Sequence, residues 1–396
     1  MILEFSVTNF RSIAEEQFIS FEPAPTVRGS AALKRSVKKH GVLPVVVAFG
    51  ANGAGKSTIA GAFGVLRQAT MSRTPDEAIV ADPFMLPKSN DPIEISVKLR
   101  VDHTIFRYLF ALSEGGRFER EELSKVENGE WVTVFERDGI AVKPALDDAA
   151  LNDLHPSISL LAHLAARRSG DARKVTRALR TQMVRAQDTI GLAGHPRSPD
   201  AHEDFWGRTF RMIQRADVGI SAGMLHEREG RKPAPRFTHT GTDGGSHELP
   251  MNAESDGTMT VVGISSYVWG TLGAGGMLVI DELGANLNHW MVRDLIETFQ
   301  SPELNPHGAQ LLLTSHDPLL LNEKILRTDQ MVMIDKDTRG ASQLSAVSDF
   351  TDLPPGKILQ SYLEGRLGGS PRFRNLWANL SPATKVAEDT AAGEPL

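Results

Sequence analysis

The spacing of apolar and polar side chains changes several times along the chain, and each change marks a new kind of element. Residues 2–8 (ILEFSVT) alternate as a half-buried strand does, and Glu15–Phe21 has the pattern of its antiparallel partner. Leu43–Phe49 is apolar throughout, as suits a strand covered on both faces, and a helix is predicted from Lys56 to Gln68. Between Ile93 and Arg137, alternating segments break at Asp102-His103, Glu114-Gly115-Gly116 and Glu127-Asn128-Gly129, which predicts an antiparallel meander.

From Pro144 to Val218 the period becomes helical. SLLAHLAARR, ARKVTRALRTQMVRAQDTI and EDFWGRTFRMIQRADV read as basic amphipathic helices, punctuated by Pro196 and Pro199. Residues 236–251 return to β character around the turn Asp243-Gly244-Gly245. From Ser255 onward helix and strand alternate. A helix to Thr271 leads to strand MLVID, helix HWMVRDLIETFQ, strand AQLLLTS, helix DPLLLNEKIL and strand QMVMID, the alternation of a mostly parallel sheet. The small, polar stretch after Trp377 predicts a disordered tail.

Composition narrows the classes. The 396 residues allow about two or three ordinary domains. No apolar run reaches the roughly 18 residues of a membrane span, and the N-terminus lacks the basic-then-apolar order of a secretion signal. The absence of cysteine removes disulfides, thiolate metal sites and cysteine nucleophiles, and fits a cytoplasmic protein. A net charge of −6 argues against a uniformly basic nucleic-acid binder. Leu33–His40 is the densest basic cluster and reads as a solvated loop, with a phosphate-backbone contact as the alternative. His239 and His247 flank the Asp243 turn without a further ligand nearby, which predicts surface residues rather than a metal site.

The candidate chemistry lies in four segments. Gly50–Ser57 matches G-x-x-x-x-G-K-[ST] between a buried strand and a helix. Gly50, Ala51, Asn52, Gly53, Ala54, Gly55, Lys56, Ser57 and Thr58 would cradle the phosphates of ATP with backbone N–H groups and the positive helix N-terminus. Lys56 would reach the β and γ phosphates, and the Ser57 hydroxyl would ligate Mg²⁺. The strand Met277–Ile280 ends in Asp281 and Glu282; Asp281 is placed to hold Mg²⁺ through its water shell and Glu282 to orient or deprotonate the attacking water. The strand ending LLLTS delivers His316 to its C-terminal end, where it would sense the γ-phosphate or help hold the water. Ser255 is a natural N-cap, and Gly257 would let an anion approach the helix N-terminus.

This ordered set, with NFRSI at Asn9–Ile13 and GRLGGSP at Gly365–Pro371, resembles the ABC/SMC-like AAA-family ATPases of bacterial abortive-infection and anti-phage systems, relatives of recombination and repair ATPases. The resemblance runs from the first strand to about Pro371. It implies an α/β fold: an ABC-type P-loop ATPase head, with a mixed sheet and antiparallel β lobe, carrying an inserted helical domain. Residues 1–143 would be the first half of the head, 144–235 the helical insertion, 236–376 the second half and 377–396 the tail. Two heads would sandwich two ATP molecules, each P-loop facing the partner's Ser255–Gly257 segment, in a homodimer or higher oligomer. The implied role is Mg-dependent ATP hydrolysis that gates a separately encoded effector, such as a nuclease or toxin, in antiviral defence. The chain is expected to have no room for a nuclease domain of its own.

Three departures stand out. Gly284–Trp290 replaces the family's Leu-His-Pro-like turn, the transporter-type LSGGQ is absent, with Asp256 beside Gly257, and Asp82–Leu86 occupies the region expected for a Q-loop glutamine. Two alternatives accompany the main reading. One is a DNA repair or recombination ATPase contacting phosphates through Arg167, Arg168, Arg173, Arg177, Arg180 and Arg185. The other is a nucleotide-gated scaffold with negligible hydrolysis.

Overall fold

A computed structural model describes residues 1–25, 37–71, 81–87, 90–143, 154–167, 170–179, 181–185, 199–216, 219–228, 231–283 and 287–369, with 27, 74, 79 and 151 between them. Outside the described residues lie half of the basic cluster (33–36), Arg168, Arg180, Pro196, Gly284–Asn286 and the tail expected after Trp377.

The first strands are β1 (Ile2–Thr8), β2 (Gln17–Ser20), β3 (Val45–Phe49), β4 (Ile93–Val101), β5 (Thr104–Leu112), β6 (Phe118–Glu127), β7 (Glu130–Asp138) and β8 (Ala141–Lys143). They are followed by β9 (Thr181–Arg185), β10 (Ile220–Arg228), β11 (Arg231–Thr240), β12 (Ser246–Pro250), β13 (Met277–Asp281), β14 (Gln310–Ser315), β15 (Met331–Lys336) and β16 (Ser342–Ala346). The helices are α1 (Lys56–Met71), α2 (Leu160–Ala166), α3 (Gly170–Ala178), α4 (Pro199–Ala216), α5 (Asp256–Ala274), α6 (His289–Gln300) and α7 (Ile358–Leu363).

Three sheets result. A six-stranded sheet runs β16-β15-β3-β14-β13-β9, parallel except for the hairpin β15–β16. A seven-stranded antiparallel sheet runs β2-β1-β4-β5-β6-β7-β8, and a three-stranded one runs β10-β11-β12. This is the mixed α/β P-loop head with an antiparallel lobe that the resemblance implies.

Strand alternation sorts the core into two layers. Val46, Ala48, Val279 and Leu312 face one side, where Ile59, Ala62, Phe63 and Leu66 of α1 pack between them and the antiparallel sheet. Phe5 stacks on Phe63 with ring centroids 3.9 Å apart, which joins β1 to α1 directly. Val45, Val47, Leu278, Ile280 and Leu311 face the other side, against Val262, Ile264 and Val268 of α5 and Val292 and Ile296 of α6. Helices α1 and α5 therefore lie on opposite faces of the parallel sheet.

The region expected to be a helical insertion is not uniformly helical. Helix α3 stops at Ala178, and Thr181–Arg185 is a strand paired in parallel with β13 from Met277 to Asp281. The helical period of ARKVTRALRTQMVRAQDTI is overridden there by an open sheet edge that residues 181–185 complete. Residues 220–228 and 231–235 are likewise strand, in β10 and the start of β11. Leu160, Leu161 and Leu164 of α2 and Val175 of α3 share the core of the antiparallel sheet. The helix expected over DPLLLNEKIL is reduced to a 3₁₀ turn at Pro318–Leu320, because Asp317 caps Leu319 N–H and Asn322 accepts from Lys324 N–H in a further turn.

One buried charge fastens α2 to the lobe. Glu121 is fully buried and accepts from the Leu160 N–H (2.8 Å), the Tyr108 hydroxyl (2.9 Å) and Arg137 (2.9 Å). The α2 cap residue Ser159 in turn donates to the Ala69 carbonyl on α1. Glu121→Gln would leave the buried Arg137 guanidinium without its counter-charge, so stability is expected to fall by about 3 kcal/mol. Urea unfolding checks this, and an unchanged midpoint would contradict it.

Candidate functional site

The parallel order β3-β14-β13 brings three C-terminal strand ends side by side. After β3 the chain turns through Gly50–Gly55 into α1. Gly53 and Gly55 take φ of 80° and 116°, which side-chain-bearing residues rarely adopt. A Cβ on Gly50 would lie 2.7 Å from the Ile334 carbonyl, and one on Gly55 2.2 Å from Ser342 Oγ. The loop is therefore held closely from behind, while Ser57 stays exposed at the start of α1.

Lys56 is buried, and its Nζ donates to the carbonyls of Gly50 (2.9 Å) and Ala51 (3.1 Å). Burial lowers the pKa of this ammonium, and the charges of Glu282 and Asp281 oppose that shift. The loop lysine thus lies within the field of the acid pair.

Thr314 on β14 organises the acids. Its Oγ1 donates to Asp281 Oδ1 at 2.6 Å and accepts the Glu282 N–H at 2.8 Å. Asp281 is buried, whereas Glu282 is partly open and carries φ of +59°, a left-handed backbone costing about 1–3 kcal/mol outside glycine. From there Glu282 Oε1 lies 3.7 Å from His316 Nδ1. The next residue, Asp317, donates its backbone N–H to Ser315 Oγ, accepts the Leu319 N–H with its carboxylate and lies 2.7 Å from His289 Nδ1. The turn holding His316 is so fastened to the start of α6.

The structure brings Lys56, Asp281, Glu282 and His316 together at one sheet edge. It does not bring Ser255 and Gly257 to the same place: they open α5, on the face opposite α1. Among the described residues no hydrogen bond or ion pair joins them to Gly50–Thr58. Ser255 does cap α5, accepting from the Thr258 N–H at 3.1 Å. The preceding Glu254 pairs with His239 at 2.9 Å, and His247 pairs with Asp243, so both histidines have carboxylate partners. Among the described residues no cluster of three or more His, Cys, Asp or Glu is placed to hold a metal.

Several contributors have structural roles that the motifs do not assign. Thr314 is one, hidden inside an apolar strand. Asn9 and Arg11 tie the 81–87 segment to the N-terminal loop, through Asn9 Oδ1 with the Phe84 N–H (3.1 Å) and the Arg11 N–H with the Asp82 carbonyl (2.8 Å). The late glycine segment closes the floor: a Cβ on Gly369 would lie 3.4 Å from Gly50 Cα, and Tyr362 OH donates to the Gly369 carbonyl at 3.0 Å.

Fold and site together define a P-loop head of the ABC/SMC-like type. Over residues 45–322 the chain matches the family described as "AAA domain, putative AbiEii toxin, Type IV TA system", and it belongs to that family. Among solved structures it is similar to an SMC head domain from Thermotoga maritima, with 12% identity, TM-score 0.42, and coverage of 87% of this chain and 98% of that one. It is also similar to an SMC head bound to the C-terminal winged-helix domain of ScpA, with 15% identity, TM-score 0.40, and coverage of 87% and 97%. Both overlays are distant, and the fold described above rests on the chain's own strand order. No curated protein sequence matches the chain.

Proposed function

We propose that the chain binds ATP with Mg²⁺ and hydrolyses it at sites shared between two copies, as the ATPase component of a cytoplasmic anti-phage system that gates a separate effector. The observation that carries this reading is the convergence of Lys56, Asp281, Glu282 and His316 on neighbouring strand ends. The residues fit the nucleotide: a glycine loop closed from behind, a buried ammonium and helical N–H groups form an anion cradle, and the Asp281 carboxylate and the exposed Ser57 hydroxyl are oxygen donors of the kind Mg²⁺ takes.

Lys56 would then neutralise phosphate charge, and Ser57 and Asp281 would hold Mg²⁺. The ion, when bound, supplies charge neutralisation on the phosphate oxygens. Glu282, turned out of the sheet by its positive φ, takes a proton from the attacking water or orients it, and His316 steadies that carboxylate and the water. Thr314 keeps the two acids in their separate roles.

Sharing between copies is supported by the placement of Ser255 and Gly257. On the face opposite α1, the N-terminus of α5 is poorly placed for its own P-loop but available to a second chain's. The defence role is supported by the toxin and toxin–antitoxin vocabulary of the family. A second reading, action on DNA, is favoured by the exposed Arg173, Lys174 and Arg177 on α3. Phosphate release from ATP by the purified chain tests the main reading. It is expected to require Mg²⁺ and to rise more steeply than linearly with protein concentration. Release that stays proportional to concentration where light scattering shows only monomer would contradict shared sites, and salt-sensitive stimulation by duplex DNA would favour the second reading.

A further inference from the structure

Behind the P-loop, three hydroxyl groups from distant parts of the chain meet. Thr58 opens α1, Ser12 lies in the N-terminal loop and Ser342 begins β16. Ser12 Oγ lies 2.9 Å from Thr58 Oγ1 and 2.8 Å from Ser342 Oγ, and Ser342 Oγ lies 2.6 Å from the Ala54 carbonyl oxygen. The Ser342 N–H also donates to the Ser12 carbonyl at 2.7 Å, so the two segments are fixed to each other through backbone as well. Ser342 is buried, and Thr58 nearly so.

Proton counting constrains this cluster. A carbonyl only accepts, and a serine hydroxyl holds one hydrogen. The Ser342 hydroxyl is the donor toward both the Ala54 carbonyl and Ser12 Oγ, so its one hydrogen is shared, with Ala54 the nearer acceptor, and between Ser12 and Thr58 either hydroxyl can donate. The result is a hydroxyl network from the first turn of α1 to the Ala54 carbonyl. In a trans peptide the C=O and the following N–H point in opposite directions. Holding the Ala54 carbonyl toward Ser342 turns the Gly55 N–H away from the hairpin. The same hydroxyls explain the need for glycine, since a Cβ at Gly55 would lie 2.2 Å from Ser342 Oγ and 2.9 Å from Ser12 Oγ.

We propose that Ser342 and Ser12 are positioning residues for nucleotide binding, presetting the Ala54–Gly55 peptide so that the Gly55 N–H is already aimed at phosphate. The proposal rests on the reading of Gly50–Ser57 as a nucleotide loop. It makes affinity for ATP depend on the β15–β16 hairpin and on the N-terminal loop, neither of which needs to touch the nucleotide. Preorganisation of this kind removes an ordering cost at the moment of binding.

The test compares wild type, Ser342→Ala, Ser12→Ala, the double variant and Lys56→Ala by titration with a fluorescent ATP analogue, with melting temperature recorded without nucleotide. Ser342→Ala is expected to weaken binding roughly tenfold, the worth of one net hydrogen bond. Ser12→Ala is expected to weaken it less, and the double variant no more than Ser342→Ala alone, because the links belong to one network. A lower melting temperature with wild-type affinity for the analogue would assign the hydroxyls to packing and overturn the proposal. If Lys56→Ala loses binding while Ser342→Ala does not, the positioning role alone falls. If wild type and Lys56→Ala bind alike, the nucleotide reading falls and takes the proposal with it.

Discussion

Glu282→Gln is expected to slow ATP hydrolysis by about 10²–10⁴-fold while leaving ATP binding close to wild type. The amide matches the carboxylate in shape, and the backbone at Glu282 is held by the Thr314 hydroxyl through its N–H, which the substitution does not touch. What is lost is the ability to accept a proton and the negative charge 3.7 Å from His316. The loss should appear in the turnover rate rather than in the apparent affinity, because the amide can still occupy the same place in the ground state. The variant should also accumulate as an ATP-bound dimer, visible by size-exclusion chromatography with light scattering. Equal turnover in both proteins would remove Glu282 from the reaction. If neither protein turned over while assembly still followed ATP, the chain would be a nucleotide-gated scaffold.

Lys56→Ala is expected to weaken ATP binding by roughly 10–150-fold, from the loss of one or two charge-assisted hydrogen bonds to phosphate. Its effect on the protein without nucleotide should be small. The ammonium is buried at an energetic cost, as its lowered pKa indicates, and its two acceptors are loop carbonyls at Gly50 and Ala51. Removing a buried charge along with its desolvation leaves only those carbonyls to be rehydrated. Isothermal titration with ATP, beside melting curves without it, separates the two effects. Loss of folding together with loss of binding would give Lys56 a structural role instead.

The elements that hold the site are legible in the sequence where burial is simple. Val45–Phe49, Met277–Ile280 and Leu311–Leu313 are apolar because they are covered on both faces, and the two periods of 2 and 3.6 separate the meander from the helices around them. The P-loop, the acid pair and His316 are readable because each ends such a strand. The strand Thr181–Arg185 is not readable, since its place is set by pairing with β13, 96 residues away in sequence, against a helical local pattern. Thr314 and Ser342 are hidden for a related reason. A single hydroxyl in an apolar or small-residue strand carries no periodic signal, and its importance comes from what tertiary folding sets beside it. The opposite placement of α1 and α5 is also beyond local pattern, because it depends on which face of the sheet each crossover takes.

Sharing of the site between two copies is tested most directly by mixing two inactive variants. Lys56→Ala disables the P-loop but keeps Ser255 intact. Ser255→Glu keeps the P-loop and sets a carboxylate where the partner's phosphates would approach. Alone, each should release phosphate at only a small fraction of the wild-type rate, since every composite site would contain one defect. In an equal mixture, random pairing makes about half of the dimers mixed, and each mixed dimer holds one fully intact site, so activity should return to about a quarter of wild type. A mixture no more active than its components would contradict a site built from the P-loop of one copy and the Ser255 segment of the other.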